Sequence, residues 1–222
     1  MIATETAEAR ILLVDDHPML RHGLASYINQ QEGLLVCGEA ENLEQGLSRI
    51  ESLDPGLVIV DITLRGSDGI ELIRRIRADG NQVPILVLSM HDESLYAERV
   101  LRTGANGYIM KEEAREKVIE AIKQVLDGGT WVSPRVASLF VERTMVGQTP
   151  GRSPLSHLSN RELEVFRLIG KGFDTRTIAA ELGISGKTVD VHRANIKKKL
   201  GMKRLSELVR YAVNCVESRD TD

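Results

Sequence analysis

The chain has 222 residues, of which 42% are hydrophobic, 27% charged and 4% aromatic, and this length suits two globular domains of unequal size. No apolar run approaches the ~20 residues that span a bilayer, and the start MIATETAEAR lacks an apolar export signal. The two cysteines lie far apart in the sequence and form no disulfide framework. We therefore expect a cytoplasmic protein without membrane contact. The net charge of −3 is the sum of −8 over residues 1–150 (15 Lys and Arg against 23 Asp and Glu) and +5 over residues 151–222 (14 against 9). The positive charge makes the second part a candidate for binding nucleic acid.

Residues 8–128 alternate short apolar runs with longer amphipathic stretches, which predict five strands and five helices. The strands are predicted at 11–15, 34–40, 56–61, 84–89 and 106–110, and the helices near 18–30, 43–52, 69–78, 93–103 and 113–127. Strands that are apolar almost throughout are typical of a parallel sheet covered on both faces. Because strand and helix alternate, right-handed crossovers are expected between them. We therefore predict an α/β domain built on a five-stranded parallel sheet.

The alternating pattern ends after residue 128. Residues 129–154 are predicted to be a linker that contains a short helix at 135–145 and ends in the turn-rich run GQTPGRSP at 147–154. Residues 155–217 then predict a small all-α domain of four helices.

Capping residues mark where the helices of this second domain begin. Ser159 and Glu162 form a capping box ahead of an apolar helical face. Asp174 and Ser185 can cap the next two helices, and the fourth is predicted at 204–216. Since the second and third helices are joined by the short turn LGIS, their spacing is that of a helix-turn-helix.

Polar side chains stand at four of the five predicted strand ends. They are Asp15, Asp16, Asp61, Ser89 and Lys111. Ligands of an open parallel sheet bind outside the carboxyl ends of its strands, so these side chains are expected to meet. Three converging carboxylates need a cation such as Mg²⁺, while an ammonium and a hydroxyl suit phosphoryl oxygens. The set predicts a carboxylate that accepts a phosphoryl group, although each residue alone could be a helix cap, a turn residue or a solvated charge.

The segments ILLVDDHPMLRHGL, VIVDITLRGSDGIELI, PILVLSMHDE and GANGYIMKE resemble the receiver domain of two-component response regulators, over about residues 10–128. The resemblance implies a flavodoxin-like (βα)5 fold in which a sensor histidine kinase phosphorylates Asp61. It further implies that Asp15, Asp16, Asp61 and the backbone carbonyl of Thr63 bind Mg²⁺, and that Ser89 and Lys111 hold the phosphoryl oxygens.

Tyr108 corresponds to the switch aromatic of these receivers, which turns inward on phosphorylation; it could equally be an ordinary half-buried strand residue.

Two positions depart from the commonest pattern of the family. Arg65 stands where proline is frequent, and Met90 stands where many receivers have Ala or Gly. We hypothesise that Met90 narrows access to Asp61 for small phosphoryl donors and for water.

The stretch from Leu158 to Val213 resembles the LuxR-type helix-turn-helix of NarL/FixJ response regulators. The resemblance implies DNA contacts along the third helix. Bases or their edges would be met by Asp190, Val191 and Ala194, and phosphates by Lys187, Thr188, Arg193 and Lys197. Asp190 is a departure, because many relatives have Lys there, and a carboxylate can accept a hydrogen bond from cytosine N4 but repels phosphate.

The fourth helix is implied to mediate dimerisation in this family. Its candidate residues are Leu205, Leu208, Val209 and Ala212. The alternative is that this apolar face only covers the core of its own domain.

The prediction that follows is a transcription regulator switched by phosphorylation, which dimerises on double-stranded DNA and has RNA polymerase as a further candidate partner. A DNA-binding regulator controlled by ligand or abundance is the second hypothesis, which an incomplete pocket would favour. A phosphohydrolase with an Asp nucleophile is the third, but Thr63 stands where such enzymes have a second Asp. We therefore expect no enzyme activity beyond the receiver's own phosphoryl transfer and slow dephosphorylation.

Overall fold

The computed structural model of the protein describes residues 8–64, 67–145 and 154–217. The chain divides into two compact units, Met1–Thr149 and Pro150–Asp222. Each unit buries its own set of apolar side chains. None of the helices in the described ranges combines the length and the apolar character that crossing a membrane requires.

The first unit is built on a parallel sheet of five strands. These strands are β1 (Ala9–Val14), β2 (Leu34–Ala40), β3 (Leu57–Val60), β6 (Ile85–Ser89) and β7 (Gly107–Met110). They lie in the order β2-β1-β3-β6-β7, and every neighbouring pair is parallel. This is the flavodoxin-like order, which reverses direction between β1 and β3 and so opens a crevice at the strand ends there. The predicted α/β fold is confirmed.

Five helices connect these strands. They are α1 (Pro18–Asn29), α2 (Leu43–Leu53), α3 (Gly69–Ala78), α4 (Glu93–Thr103) and α5 (Ala114–Leu126). Short polar side chains set several of their starts, since Asn42, Asp68 and Asp92 each accept a hydrogen bond from a backbone N–H of the first turn. α4 ends at Gly104, whose φ of 109° lies in the left-handed region that favours glycine.

Two features of this unit were not predicted. A short antiparallel ribbon, β4 (Thr63–Leu64) with β5 (Ser67–Asp68), follows β3. Arg65 lies outside the described residues. At the β7 edge of the five-stranded sheet, Trp131 pairs with β7, because Tyr108 donates its backbone N–H to the Trp131 carbonyl at 2.9 Å.

A sixth helix, α6 (Pro134–Met145), packs on α4. Ser133, the residue just before α6, is joined to the start of α4 by a 2.6 Å hydrogen bond from its Oγ to Glu93 Oε1. The helix expected at 135–145 is therefore present, and it belongs to the first unit rather than to an extended connection. Most of the turn-rich run predicted at 147–154 lies outside the described residues.

The second unit is all helical among its described residues. Its elements are a 3-10 turn (Pro154–His157), α7 (Asn160–Gly170), α8 (Thr175–Glu181), α9 (Gly186–Lys199) and α10 (Leu205–Glu217). The capping box of Ser159 and Glu162 forms as predicted, and Asp174 and Ser185 cap α8 and α9. Phe166, Ile178, Val189 and Ile196 are fully buried in its core, which confirms the four-helix domain.

Candidate functional site

The predicted polar residues meet at the carboxyl ends of the strands in the first unit. Asp15 follows β1, Asp61 follows β3, Ser89 ends β6 and Lys111 follows β7. The pairing of neighbouring strands fixes where each strand ends relative to the next, and this holds the four side chains at the same edge of the sheet. Two backbone bonds continue that pairing past the strands, from Asp61 N–H to the Val14 carbonyl at 2.9 Å and from Lys111 N–H to the Ser89 carbonyl at 2.8 Å.

Lys111 joins the two buried carboxylates. Its Nζ lies 2.7 Å from Asp15 Oδ2 and 2.7 Å from Asp61 Oδ2. The side chains of all three residues are at least nine-tenths buried. A buried carboxylate without a cation would be costly, so Lys111 compensates the negative charge of this pocket.

Asp61 is the most deeply buried of the carboxylates and has a shifted pKa. Burial raises the pKa from 3.8 to about 6, against the opposing effect of the Lys111 ammonium and with a further increase from the Asp15 charge. The Thr63 N–H donates to Asp61 Oδ1 at 3.2 Å. Oδ1 and Oδ2 of Asp61 therefore have different partners, the peptide and the ammonium.

The backbone of α3 approaches Asp61 so closely that only glycine fits at Gly69. A Cβ placed on Gly69 would lie 2.0 Å from the Asp61 carbonyl oxygen, which is well inside van der Waals contact. The Gly69 N–H also donates to the Ile62 carbonyl at 2.8 Å. This contact holds the loop that follows Asp61 against the start of the helix.

Asp15, Asp16 and Asp61 are arranged in a way that suits a divalent cation. One oxygen from each carboxylate and a ring nitrogen of His17 all lie within 4.8 Å of one another. A set dominated by carboxylate oxygens fits a hard ion such as Mg²⁺. His17 was not predicted as part of the site, although it directly follows the two aspartates in the sequence; its Nδ1 lies 2.8 Å from Asp16 Oδ1 and 3.1 Å from Asp15 Oδ1.

Ser89 and Tyr108 lie on the β6 and β7 side of the pocket and are both buried. Ser89 Oγ accepts the backbone N–H of His91 at 3.1 Å, and the Tyr108 hydroxyl donates to the His91 carbonyl at 2.7 Å. Burial raises the pKa of the Tyr108 phenol, so this hydroxyl stays protonated and remains a donor. The Tyr108 side chain points inward and is fully buried rather than half-buried, and its role as a switch stays a prediction.

His91 connects this side of the pocket to the loop after Asp61. This connection was not predicted from the sequence. Its Nε2 lies 2.9 Å from Thr63 Oγ1, and its ring stacks on Tyr96 with centroids 4.7 Å apart. The contact joins residues 28 positions apart, and no local pattern encodes such a pairing.

In the second unit, α9 presents a polar face with a small apolar centre. Its exposed residues at helical spacing are Lys187, Asp190, Val191, Ala194 and Lys198. Val191, at the centre of this face, is 52% exposed. Thr188 and Lys197 are partly buried, and Lys198 was missing from the predicted contacts although it follows the same spacing.

Arg193 is directed toward α8 rather than outward. Its guanidinium donates to the Thr175 hydroxyl, and its side chain is 15% exposed. The Asp190 carboxylate lies 3.8 Å from it. Arg193 therefore braces the two helices of the helix-turn-helix in this structure, and the expectation that it meets phosphate requires the side chain to turn outward.

The α10 residues expected at a dimer contact fall into two groups. Leu208 and Ala212 are fully buried in the second unit, where α10 packs on α7. Leu205 and Val209 are 44% and 38% exposed. The core-covering alternative therefore describes the first pair, and only the second pair offers apolar surface to a partner.

Comparisons with known proteins agree with both units. Residues 11–123 match the response regulator receiver domain family, and residues 156–212 match the family of bacterial regulatory proteins, luxR family. The transcriptional activator protein ExaE of Pseudomonas putida is 38% identical over 203 residues, which cover 91% of this chain and 95% of that protein. The nitrate/nitrite response regulator protein NarL of Escherichia coli K12 is 32% identical over 88% of this chain and 90% of its own length.

A solved structure extends this similarity. RcsB from Salmonella enterica serovar Typhimurium, bound to promoter rprA in the presence of the phosphomimetic BeF3−, has a TM-score of 0.59 and 27% identity, covering 93% of this chain and 98% of that one. The chain therefore belongs to the two-component response regulators that join a receiver domain to a LuxR-type helix-turn-helix. Within them it is of the NarL/FixJ type, a DNA-binding regulator of transcription.

Proposed function

We propose that Asp61 accepts a phosphoryl group from a sensor histidine kinase, and that this modification promotes dimerisation and sequence-specific binding to double-stranded DNA. The protein acts in the cytoplasm, where RNA polymerase is a further candidate partner. The observation that carries the proposal is the pair of 2.7 Å contacts from Lys111 Nζ to Asp61 and Asp15. They put a cation beside the carboxylate that would become negatively charged phosphoaspartate.

In the proposed transfer, an Asp61 carboxylate oxygen attacks the phosphorus of a kinase phosphohistidine. The O–P bond forms, the P–N bond breaks, and the released imidazole takes up a proton. Lys111 and the Ser89 hydroxyl would hold the phosphoryl oxygens. The protein has no other substrate in this proposal, so its chemistry is limited to this transfer and to slow hydrolysis of the product.

Asp15, Asp16, Asp61 and the Thr63 backbone carbonyl would hold Mg²⁺. The fit rests on the close set of carboxylate oxygens beside Asp61. When bound, the ion neutralises charge on the transferring phosphoryl group. The chain's own contribution is to hold the carboxylates in place and, through Lys111, to balance their remaining charge.

For the second unit we propose that α9 enters the major groove. Asp190, Val191 and Ala194 lie at the centre of its exposed face and would meet base edges. Lys187, Thr188, Arg193 and Lys197 are proposed to contact phosphates, together with the exposed Lys198. The positive charge of residues 151–222 supports this, since phosphate neutralisation supplies much of the affinity for DNA.

Dimerisation is proposed to use the exposed part of α10. Leu205 and Val209 supply the apolar surface, while Leu208 and Ala212 support it from inside the fold. The proposed domain limits are 8–128 for the receiver, 129–154 for the connection and 155–217 for the DNA-binding domain.

One experiment tests the switch. Wild-type protein and Asp61→Asn are treated with Mg²⁺ and beryllofluoride, a phosphoryl mimic, while oligomeric state is followed by light scattering and DNA binding by selection from a random duplex library. We expect the treated wild type to dimerise and to bind DNA tightly. The treated Asp61→Asn variant should change neither its oligomeric state nor its DNA binding. A wild type that does not respond contradicts the switch and favours a regulator controlled by ligand or abundance.

A further inference from the structure

Arg21 is a buried arginine directly behind the proposed metal site. It lies on α1 and is 6% exposed. Its Nη1 donates to the backbone carbonyl of Asp15 at 2.6 Å. Its other nitrogens bind carboxylates at the end of β2, with Nε 2.7 Å from Glu39 Oε2 and Nη2 3.0 Å from Glu41 Oε1.

The carbonyl that Arg21 binds belongs to the peptide that joins Asp15 to Asp16. A bond to this oxygen therefore restrains the backbone of both proposed metal ligands at once. The Asp15 N–H donates to the Ala40 carbonyl at 3.0 Å, so the other side of Asp15 is held by β2. Arg21 and β2 together fix the direction from which the two carboxylates leave the chain.

The arrangement uses the fork shape of the guanidinium as well as its charge. Three different nitrogens reach three partners on two separate segments, which the single ammonium of lysine cannot do. Two carboxylates accompany the one positive charge of Arg21. Its electrostatic effect on the metal site is therefore small compared with its effect on geometry.

We propose that Arg21 is a positioning residue for Mg²⁺, which holds the Asp15–Asp16 peptide in the orientation that lets both carboxylates reach the ion. The inference rests on the proposed function of the pocket. Residues that orient metal ligands through hydrogen bonds typically change metal affinity by about 10–100-fold when they are replaced. An effect of this size on Mg²⁺ binding is expected for Arg21.

The test measures Mg²⁺ binding directly on the full chain, without a phosphoryl donor. Calorimetric titration with Mg²⁺ compares wild type, Arg21→Met and Arg21→Lys. We expect the dissociation constant to rise about tenfold or more in Arg21→Met, with a similar rise in Arg21→Lys because lysine keeps the charge but loses the fork. Labelling by acetyl phosphate should then need more Mg²⁺ for half-saturation, while the rate at saturating Mg²⁺ stays close to that of wild type.

Arg77 provides a matched control. It also bridges segments through several carbonyls, those of Asn81, Val83 and Gly104, but at the end of the sheet away from the strand ends that form the pocket. Arg77→Met should lower the melting temperature and leave the Mg²⁺ dissociation constant unchanged. A purely structural role for Arg21 predicts the same result for Arg21→Met, and that result overturns the inference.

If Arg21→Met does not fold, Arg21→Lys decides by the same measurement. An unchanged dissociation constant in Arg21→Lys overturns the inference, and a raised one supports it. A wild type that neither binds Mg²⁺ nor becomes labelled contradicts the proposed function itself, so the two failures can be told apart.

Discussion

The Lys111 ammonium lies 2.7 Å from Oδ2 of Asp61, and both side chains are almost completely buried. Burial still raises the Asp61 pKa to about 6, so the ion pair offsets only part of the cost of enclosing the carboxylate. The same ammonium contacts Asp15 at 2.7 Å, which leaves one cation shared between two carboxylates. The pocket is thus short of positive charge, and a divalent cation would supply it.

Replacing Lys111 by Met should destabilise the receiver strongly in the absence of Mg²⁺. Two buried carboxylates would lose their cation, and we expect the free energy of unfolding to fall by about 3 kcal/mol. Added Mg²⁺ should recover part of this loss by binding only the folded state. Urea unfolding followed by Trp131 fluorescence, with chelator or with Mg²⁺, measures both effects.

Lys117→Met is the control for this comparison. Lys117 forms a partly exposed pair with Glu113, four residues earlier, at 2.9 Å, so its removal should change stability little and without dependence on Mg²⁺. A Lys111→Met variant that behaves like Lys117→Met would show that the buried pairs carry no net stabilisation.

In the second unit, Glu162 should make stability depend on pH. Burial by itself raises its pKa, but hydrogen bonds from Lys199 at 2.6 Å and from the Ser159 N–H at 2.7 Å outweigh this and hold the pKa below its usual 4.5. The unfolded chain therefore binds a proton more readily. The contribution of Glu162 is present above the usual pKa and is lost as the pH falls through the lower, folded value.

Glu162→Gln should remove this dependence, because the amide keeps an acceptor for Ser159 but cannot titrate. Amide hydrogen exchange in α7 at neutral and acidic pH measures the difference. Ser159→Ala serves for comparison, since it removes the cap of α7 and should cost about 1 kcal/mol at either pH. An equal loss at both pH values in Glu162→Gln would speak against the ion pair with Lys199.

Much of this architecture was predictable because its determinants are local. Helix starts depend on residues three or fewer positions apart, such as Ser159 with Glu162, and strand ends were marked by Asp15 and Asp61. Contacts that depend on strand register were not predictable. The bonds from Arg21 to Glu39 and Glu41 span 18 and 20 residues, and only the finished pairing of β1 with β2 brings these groups together.

Tertiary packing also limited what could be predicted for α9 and α10. Periodicity identified apolar and polar faces, but it does not say which of two apolar rows meets the neighbouring helix. Packing of α10 on α7 buries Leu208 and leaves Val209 exposed. Arg193 turned inward because Thr175, 18 residues earlier, provides an acceptor at the start of α8.

Met90 offers a test of access to the pocket. It follows the buried Ser89 and is 58% exposed, so its side chain can be shortened with little effect on packing. If it shields Asp61, Met90→Ala should speed labelling by acetyl phosphate or the loss of the phosphoryl group severalfold. Both rates can be followed by intact-protein mass. Val141→Ala, which trims an equally exposed residue on α6, should leave them unchanged, and unchanged rates in both variants would reject the hypothesis.

Asp190 should influence which DNA sequence is bound as well as how tightly. Its carboxylate is 67% exposed on α9, next to the exposed Val191. A carboxylate can accept from cytosine N4, and valine can contact the thymine methyl group, while the negative charge weakens binding to phosphates generally. Asp190→Lys should therefore raise affinity for all DNA and also move the preference at one base pair, from cytosine toward guanine, by about tenfold.

Selection from a random duplex library, followed by binding to single-base variants of the selected site, separates these two effects. Lys187→Ala is the matched comparison, because Lys187 lies on the same exposed face and is proposed to contact phosphate. It should lower affinity by a similar factor for every sequence and reduce the dependence on salt. If Asp190→Lys instead raises affinity equally for every variant, the carboxylate acts only through its charge, and the base preference must then depend on the neighbouring Val191 and Ala194.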